Sequence, residues 1–329
     1  MGVAVLGAGA WGTALAIHFA ARHRVSLWVW DPAQLERMSR DRASPFLPGF
    51  ELSSAVRLEG DVGRTLEGAD IALVVTPTSG LRETLRRIAA SGRGIPVIWA
   101  CKGFEPGTAK FAHQVALEEL GRDRSCGAFS GPSFALEVAQ GLPTAVTLAS
   151  TDEAFARALA RELNDHRLRV YSSGDVIGVE VGGAVKNVIA IAAGISDGMG
   201  FGHNARAALV TRGLAEITRL GLKLGARADT FMGLAGVGDL MLTCAGDLSR
   251  NRRVGLALAA GKSLDAILAE LGQVAEGVNT AREVKRLAAA VQVEMPITEA
   301  VCQILFQGIS AGVAVEKLLS REPKTEGAR

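Results

Sequence analysis

Over its first half the chain alternates between short apolar runs and longer amphipathic stretches; over its second half the short runs disappear. Residues 3–6, 25–30, 71–75, 96–100, 145–148 and 169–171 are apolar runs of the length of a buried strand. Stretches such as 13–20 and 81–89 lie between them and read as helices. Strands alternating with helices predict the α/β class, a Rossmann-type doubly wound parallel sheet whose ligands sit at the carboxyl ends of the strands. From about Asp175 onward, residues 176–195, 205–224, 251–260, 264–271, 280–291 and 297–306 repeat apolar positions at helical spacing, with glycine or proline between them. The expected organisation is a dinucleotide-binding Rossmann domain over residues 1–174, followed by an all-α substrate and catalytic domain over residues 175–329. The charged tail, 320–329, is expected to fray.

The first strand ends in Gly7-Ala8-Gly9-Ala10-Trp11-Gly12 and runs into a helix. In a chain with 39 glycines that spacing means little alone. Placed between a strand and a helix, with Asp31 closing the next strand, it reads as a dinucleotide site. Gly7 permits the tight turn, Gly9 lets the backbone approach a pyrophosphate, and Gly12 lets helix and strand pack closely. The helix start at Ala10 and Trp11 then offers N–H groups and positive dipole to the phosphates. Asp31 either accepts from the ribose hydroxyls of NAD or caps the helix that follows Pro32. The nearest guanidinium groups for a 2′-phosphate are Arg37 and Arg40. The cofactor expected is therefore NAD or NADP, with a slight tilt toward NAD.

Lys186 stands inside the apolar run 181–191, with Asn187 beside it. A lysine so placed must keep its ammonium in a cavity, pair it, or lose basicity, unless it lies on a solvated helix edge. The first three outcomes make it a candidate proton donor or acceptor. Asp239 and Thr243 are four apart and share one helix face. Asp239 either pairs with Lys186 or orients a substrate hydroxyl, or it is a plain N-cap or surface charge. Ser249-Arg250-Asn251 opens a helix, where N–H groups and a guanidinium converge on one anion; the bland alternative is a basic solvated turn. Lys102 follows the strand 96–100 at its carboxyl end, where a ligand-facing and a surface lysine are equally open readings. In Ser130-Gly131-Pro132-Ser133 a strand turns into a helix, so Ser133 or the free N–H groups behind it can hold a ligand oxygen, cap the helix, or both.

A net charge of +2 is too small to argue for nucleic acid or an anionic membrane surface and fits a local anion site. Cys101, Cys126, Cys244 and Cys302 lie far apart, which reads as reduced thiols rather than a disulfide framework, and no metal is expected. The N-terminus enters the first strand without a basic leader, and the longest apolar stretch, 181–195, is interrupted by Lys186 and Asn187 and is too short for a bilayer. A cytoplasmic protein without membrane insertion is expected. Its glycine- and alanine-rich helices offer surfaces for a homodimer.

Residues 7–16, Ser130-Gly131-Pro132-Ser133-Phe134-Ala135, and residues 178–187, 196–212, 230–243 and 249–254 together resemble the bacterial NAD(P)-dependent glycerol-3-phosphate dehydrogenases. The likeness runs from residue 2 to about residue 310. It implies an oxidoreductase that interconverts dihydroxyacetone phosphate and sn-glycerol 3-phosphate by hydride transfer with NAD(P)H, supplying glycerol 3-phosphate for phospholipid synthesis. It implies that Lys186 is the catalytic proton donor and acceptor, with Asp239 and Lys102 beside it. Lys102, Gly131, Ser133, Asp239, Ser249, Arg250 and Asn251 would surround a phosphorylated three-carbon substrate, and Lys186, Asn187 and Thr243 join that set. Trp11, Lys102, Ala135, Arg250, Val274 and Glu276 would touch the cofactor. The family's basic or imidazole-bearing position just before Asp31 is Trp30 here, which places an indole at the cofactor site and weakens the case for NADP preference. Two rivals stay open. One is a dehydrogenase of similar build acting on a β-hydroxy acid, which would want a carboxylate clamp. The other is a nicotinamide-binding regulator without turnover, which leaves Lys186, Asp239 and Arg250 unexplained.

Overall fold

Continuous apolar runs become strands buried on both faces, as a parallel sheet covered by helices requires. The computed structural model describes residues 1–272 and 274–322; the fraying expected over 323–329 lies outside the described residues. The strands are β1 (Gly2–Leu6), β2 (Arg24–Trp28), β3 (Ala43–Ser44), β4 (Leu47–Glu51), β5 (Val56–Glu59), β6 (Ile71–Val74), β7 (Val97–Trp99), β8 (Cys126–Ser130), β9 (Thr144–Ala149) and β10 (Leu168–Ser173). One sheet runs β10-β9-β8-β7-β6-β1-β2-β5, while β3 and β4 form a small antiparallel pair. β5, β2, β1, β6, β7 and β8 are parallel, but β9 lies antiparallel to β8 and carries β10 alongside it in the same reversed sense. The sheet is thus mostly parallel rather than wholly so. Apolar pattern reports that a strand is buried, not which way it runs.

After Ser173 the described residues form helices only. Their axis is the helix Val176–Gly198, whose 23 residues are almost all buried. It outruns the apolar stretch seen in the sequence and is long and apolar enough to cross a membrane, yet 89% of its most apolar window is buried inside the protein. Asp175 caps its start, accepting from Gly178 N at 2.8 Å, Arg227 N at 2.9 Å and Thr230 Oγ1 at 2.6 Å. Glu180 bolts it to the sheet, accepting from Trp99 Nε1 and His113 N, each at 2.9 Å.

Two close contacts on this helix decide where the functional side chains go. A Cβ at Gly182 would lie 2.3 Å from the Ala235 carbonyl, so the segment Leu234–Gly238 sits directly on the helix backbone. A Cβ at Gly194 would lie 2.0 Å from the Arg252 carbonyl, and one at Gly255 2.1 Å from the Ile191 carbonyl. The helix Arg250–Ala259 therefore packs backbone against backbone. Alanine gains about 1 kcal/mol of helix propensity over glycine, whereas overpacking costs about 1–3 kcal/mol. Gly194→Ala is accordingly expected to lower the urea midpoint without changing the slope; an unchanged midpoint would show that the helix can step aside at no cost.

Candidate active site

Lys186, Asp239 and Lys102 come together although 137 residues separate the last two in sequence. Lys186 Nζ donates to Asp239 Oδ1 at 2.5 Å and to Thr243 Oγ1 at 2.8 Å. Lys102 Nζ donates to Asp239 Oδ2 at 2.7 Å and to the Gly131 carbonyl at 2.9 Å. The Thr243 hydroxyl donates in turn to the Asp239 carbonyl at 2.6 Å, which leaves its oxygen free to accept from Lys186. Asp239 is 1% exposed and Lys186 6%, so neither the solvated-edge reading of the lysine nor the surface reading of the aspartate applies. One carboxylate faces two ammonium groups, so these three side chains together carry an excess of one positive charge. An ammonium has three donors, so each lysine keeps one beyond these bonds.

The local backbone explains the meeting. Asp239 begins the helix Asp239–Ala245, entered through Leu234–Gly238, where Gly236 takes φ −102° and ψ −106°. Lys102 sits in the loop beyond β7, and Asn187 Nδ2 holds its carbonyl at 3.1 Å. Asn187 Oδ1 accepts from Asn251 Nδ2 at 3.0 Å, and Asn251 Oδ1 accepts from Gly277 N at 3.0 Å. These two side chains, expected near the substrate, thus tie the Lys102 loop, the central helix and two helix starts together. Ser249 caps the helix Arg250–Ala259, accepting from Arg252 N at 3.2 Å, and Arg250 is its first residue, exposed at the surface. Ser133 Oγ donates to the Gly131 carbonyl at 2.9 Å, just before the helix Ala135–Ala139.

Burial pushes the Lys186 ammonium down to about 8, and the nearby Lys102 charge adds to the effect; Asp239 opposes both. Burial likewise holds the Glu276 carboxyl above its usual range, against the Thr78 N–H and the Arg250 charge. Glu276 Oε1 accepts from Thr78 N at 3.0 Å, a clasp between the helical half and the loop after β6. Nothing in the sequence flagged Thr78, because its donor is a backbone N–H.

The glycine loop fits a dinucleotide. Gly7 takes φ +127°, and a Cβ at Gly12 would lie 1.9 Å from the Gly7 carbonyl. A Cβ at Gly9 would meet nothing within 4 Å, so the space over that residue is open. The helix Ala10–Ala20 has no side-chain cap at Gly9, which leaves its first N–H groups for phosphate oxygens. Gln34 Nε2 pins the loop by donating to the Ala8 carbonyl at 2.8 Å. This residue went unnoticed because a glutamine on an amphipathic helix reads as surface. Trp11 packs half-buried against the sheet core. Asp31 accepts from Ala33 N at 2.9 Å, so it fills the capping role. Trp30 beside it is 71% exposed, and Val274 is 43% exposed.

Two family models match the chain, the NAD-dependent glycerol-3-phosphate dehydrogenase N-terminus over residues 2–156 and its C-terminus over residues 175–316. The chain belongs to the NAD-dependent glycerol-3-phosphate dehydrogenases. The glycerol-3-phosphate dehydrogenase (NAD(P)+) of Nitrosospira multiformis is 62% identical over 331 residues, covering 99% of each chain. That of Dechloromonas aromatica is 57% identical over 327 residues, again with 99% of each covered. The crystal structure of glycerol-3-phosphate dehydrogenase from Coxiella burnetii superposes with a TM-score of 0.94 at 40% identity, covering 97% of this chain and 99% of that one. A ketopantoate reductase from Ralstonia eutropha, at 15% identity and a TM-score of 0.59, shares the fold alone.

Removing the bridging charge should be costly. Asp239→Asn leaves the Lys186 ammonium buried without its counter-charge, a change of about 3–5 kcal/mol for broken buried pairs. The Lys186 pKa falls below about 8, since the group that raises it is gone. The penalty on the charged form is felt in full only below the variant's lowered Lys186 pKa, and the stability loss shrinks as pH rises from there to the native value of about 8, because the variant sheds the proton that the wild type keeps. Urea unfolding at pH 5.5 and pH 9 reads this directly, and equal stability of variant and wild type at pH 5.5 would refute the bridge.

Proposed function

We propose that the Asp239-centred cluster moves the proton while the turn at Ser249, Arg250 and Asn251 grips the phosphate, so that the protein interconverts dihydroxyacetone phosphate and sn-glycerol 3-phosphate with NAD(P)H. The observation that carries this reading is the shared carboxylate, which leaves a buried ammonium poised near 8 beside a second positive charge. When bound, the nicotinamide supplies or accepts the hydride.

Reduction of the ketone builds negative charge on the C2 oxygen. Lys186, protonated at pH 7, has one N–H beyond its bonds to Asp239 and Thr243 and delivers the proton there. Lys102 stabilises the same charge as a fixed cation, its ammonium anchored by Asp239 and Gly131. In the oxidative direction neutral Lys186 takes the proton back. A pKa close to working pH suits one group to both tasks. Ser249, Arg250 and Asn251, with Gly131 and Ser133 opposite, hold the phosphate and so fix C2. Asn187 and Thr243 orient the two lysines. Gly7, Gly9, Ala10, Trp11 and Gly12 hold the pyrophosphate, Trp30 and Asp31 face the adenosine end, and Lys102, Ala135, Arg250, Val274 and Glu276 face the rest of the cofactor.

The product serves phospholipid synthesis. We read the chain as two domains meeting between residues 174 and 175, in a cytoplasmic protein without membrane insertion. Four free thiols and a central helix spent inside the fold support that placement. A homodimer goes with it, supported by exposed Phe201 and Leu319 lining one largely apolar groove.

Oxidation of NADH or NADPH by dihydroxyacetone phosphate, followed at 340 nm, tests the activity. Lys186→Ala should lower kcat by about 10²–10⁴ with the fold retained, and near-normal turnover would end the assignment. Arg250→Ala should act mainly on the KM for dihydroxyacetone phosphate; an unchanged KM would remove the phosphate clamp. For reduction, kcat/KM should fall as pH rises through about 8, because Lys186 then loses the proton it donates. A profile flat from pH 7 to pH 9 would point to another acid.

A further inference from the structure

Asp197 sits in the last turn of the helix Val176–Gly198, the end at which the helix dipole disfavours an anion, and its side chain is 7% exposed. A carboxylate there needs strong partners. Among the described residues it has two: Arg206 Nε donates to Oδ1 at 2.7 Å, and Arg252 Nε donates to Oδ2 at 2.8 Å. Arg252 belongs to the helix Arg250–Ala259, and its backbone N–H is the one that closes the cap on Ser249. Arg252 also pairs with Asp247, whose side chain is 95% exposed and holds it weakly.

The contact of Gly194 with the Arg252 carbonyl brings the two helices together without interlocking side chains at that point. Such a contact sets a distance. It does little to stop one helix from turning about its own axis. The Asn251–Asn187 hydrogen bond and buried Val254 restrain that turning, and the Asp197–Arg252 bond adds a directional hold beside the helix start, because a guanidinium held through Nε has a fixed direction.

We propose that Asp197 is a positioning residue for the substrate's phosphate. By gripping Arg252 it helps to fix the rotation of the helix Arg250–Ala259, and with it the direction of Arg250 and of the N–H groups at the helix start. This inference rests on the reading of Ser249, Arg250 and Asn251 as the phosphate clamp.

The test is steady-state kinetics on Asp197→Asn in the full-length protein, with inorganic phosphate as a competing probe and NADH affinity measured separately by fluorescence. The expected result is a KM for dihydroxyacetone phosphate raised about tenfold, kcat within about threefold of wild type, and a loss of NADH affinity of at most about twofold, since Arg250 also faces the cofactor. Inhibition by inorganic phosphate should weaken by the same factor as KM. A KM within about twofold of wild type overturns the inference, as does a parallel loss of NADH and substrate affinity with a lowered melting temperature. Arg250→Ala separates the two ideas: if it raises KM and Asp197→Asn does not, the clamp stands and the positioning role falls; if neither raises KM, the clamp itself is wrong. Should Asp197→Asn not accumulate as folded protein, Arg252→Lys keeps the charge but loses the fork, and is expected to raise KM several-fold; a wild-type KM there overturns the proposal equally.

Discussion

Asp239 has to reach two ammonium groups from one carboxylate, and much of the molecule is arranged to let it. Lys186 comes from the central helix, Lys102 from a loop beyond the sheet, and Asp239 from a helix start reached through a distorted turn. Each approach needs a backbone device. Gly182 lets the segment before Asp239 settle on the central helix, Asn187 holds the carbonyl of Lys102, and Gly131 accepts from its ammonium. Loss of any of these would leave a buried charge short of its partner, the costliest defect a protein interior can carry.

The same devices join the two halves of the chain. Glu180 takes hydrogen bonds from Trp99 and His113, Glu276 from the backbone at Thr78, and Asn187 gives one to Lys102. All of these join the sheet half to the helical half. The side that fits the dinucleotide and the side that holds the buried lysine are therefore one mechanical unit.

Much of this was legible in the chain and some of it was not, for physical reasons. A lysine in an apolar run stands out because its charge must be answered, and the glycine loop stands out because each glycine has a separate steric task. The capping choice of Asp31 was open because one carboxylate can serve a helix or a ribose. The reversal of β9 and β10 left no mark, since burial and direction are independent. β5 and the helices Ala112–Leu120, Glu153–Leu163 and Ala311–Leu319 also went unassigned, the strand because four residues carry too little periodicity. Gln34 and Thr78 act through or upon backbone groups, and the link of Asn187 to Asn251 joins residues 64 apart, so sequence spacing says nothing of them. That Asp239 would serve Lys102 as well as Lys186 could not be known before the loop after β7 was placed.

The excess positive charge beside Asp239 has a consequence for the resting protein. A low-dielectric recess with a standing charge of one sign draws a counter-ion from solution and holds it more firmly than the open surface would. With the substrate bound as proposed above, its entry is an ion exchange, in which a phosphate ester displaces a smaller anion of the medium. Apparent affinity is in that case a property of the buffer as much as of the protein, and chloride, sulfate and phosphate form a graded series of competitors.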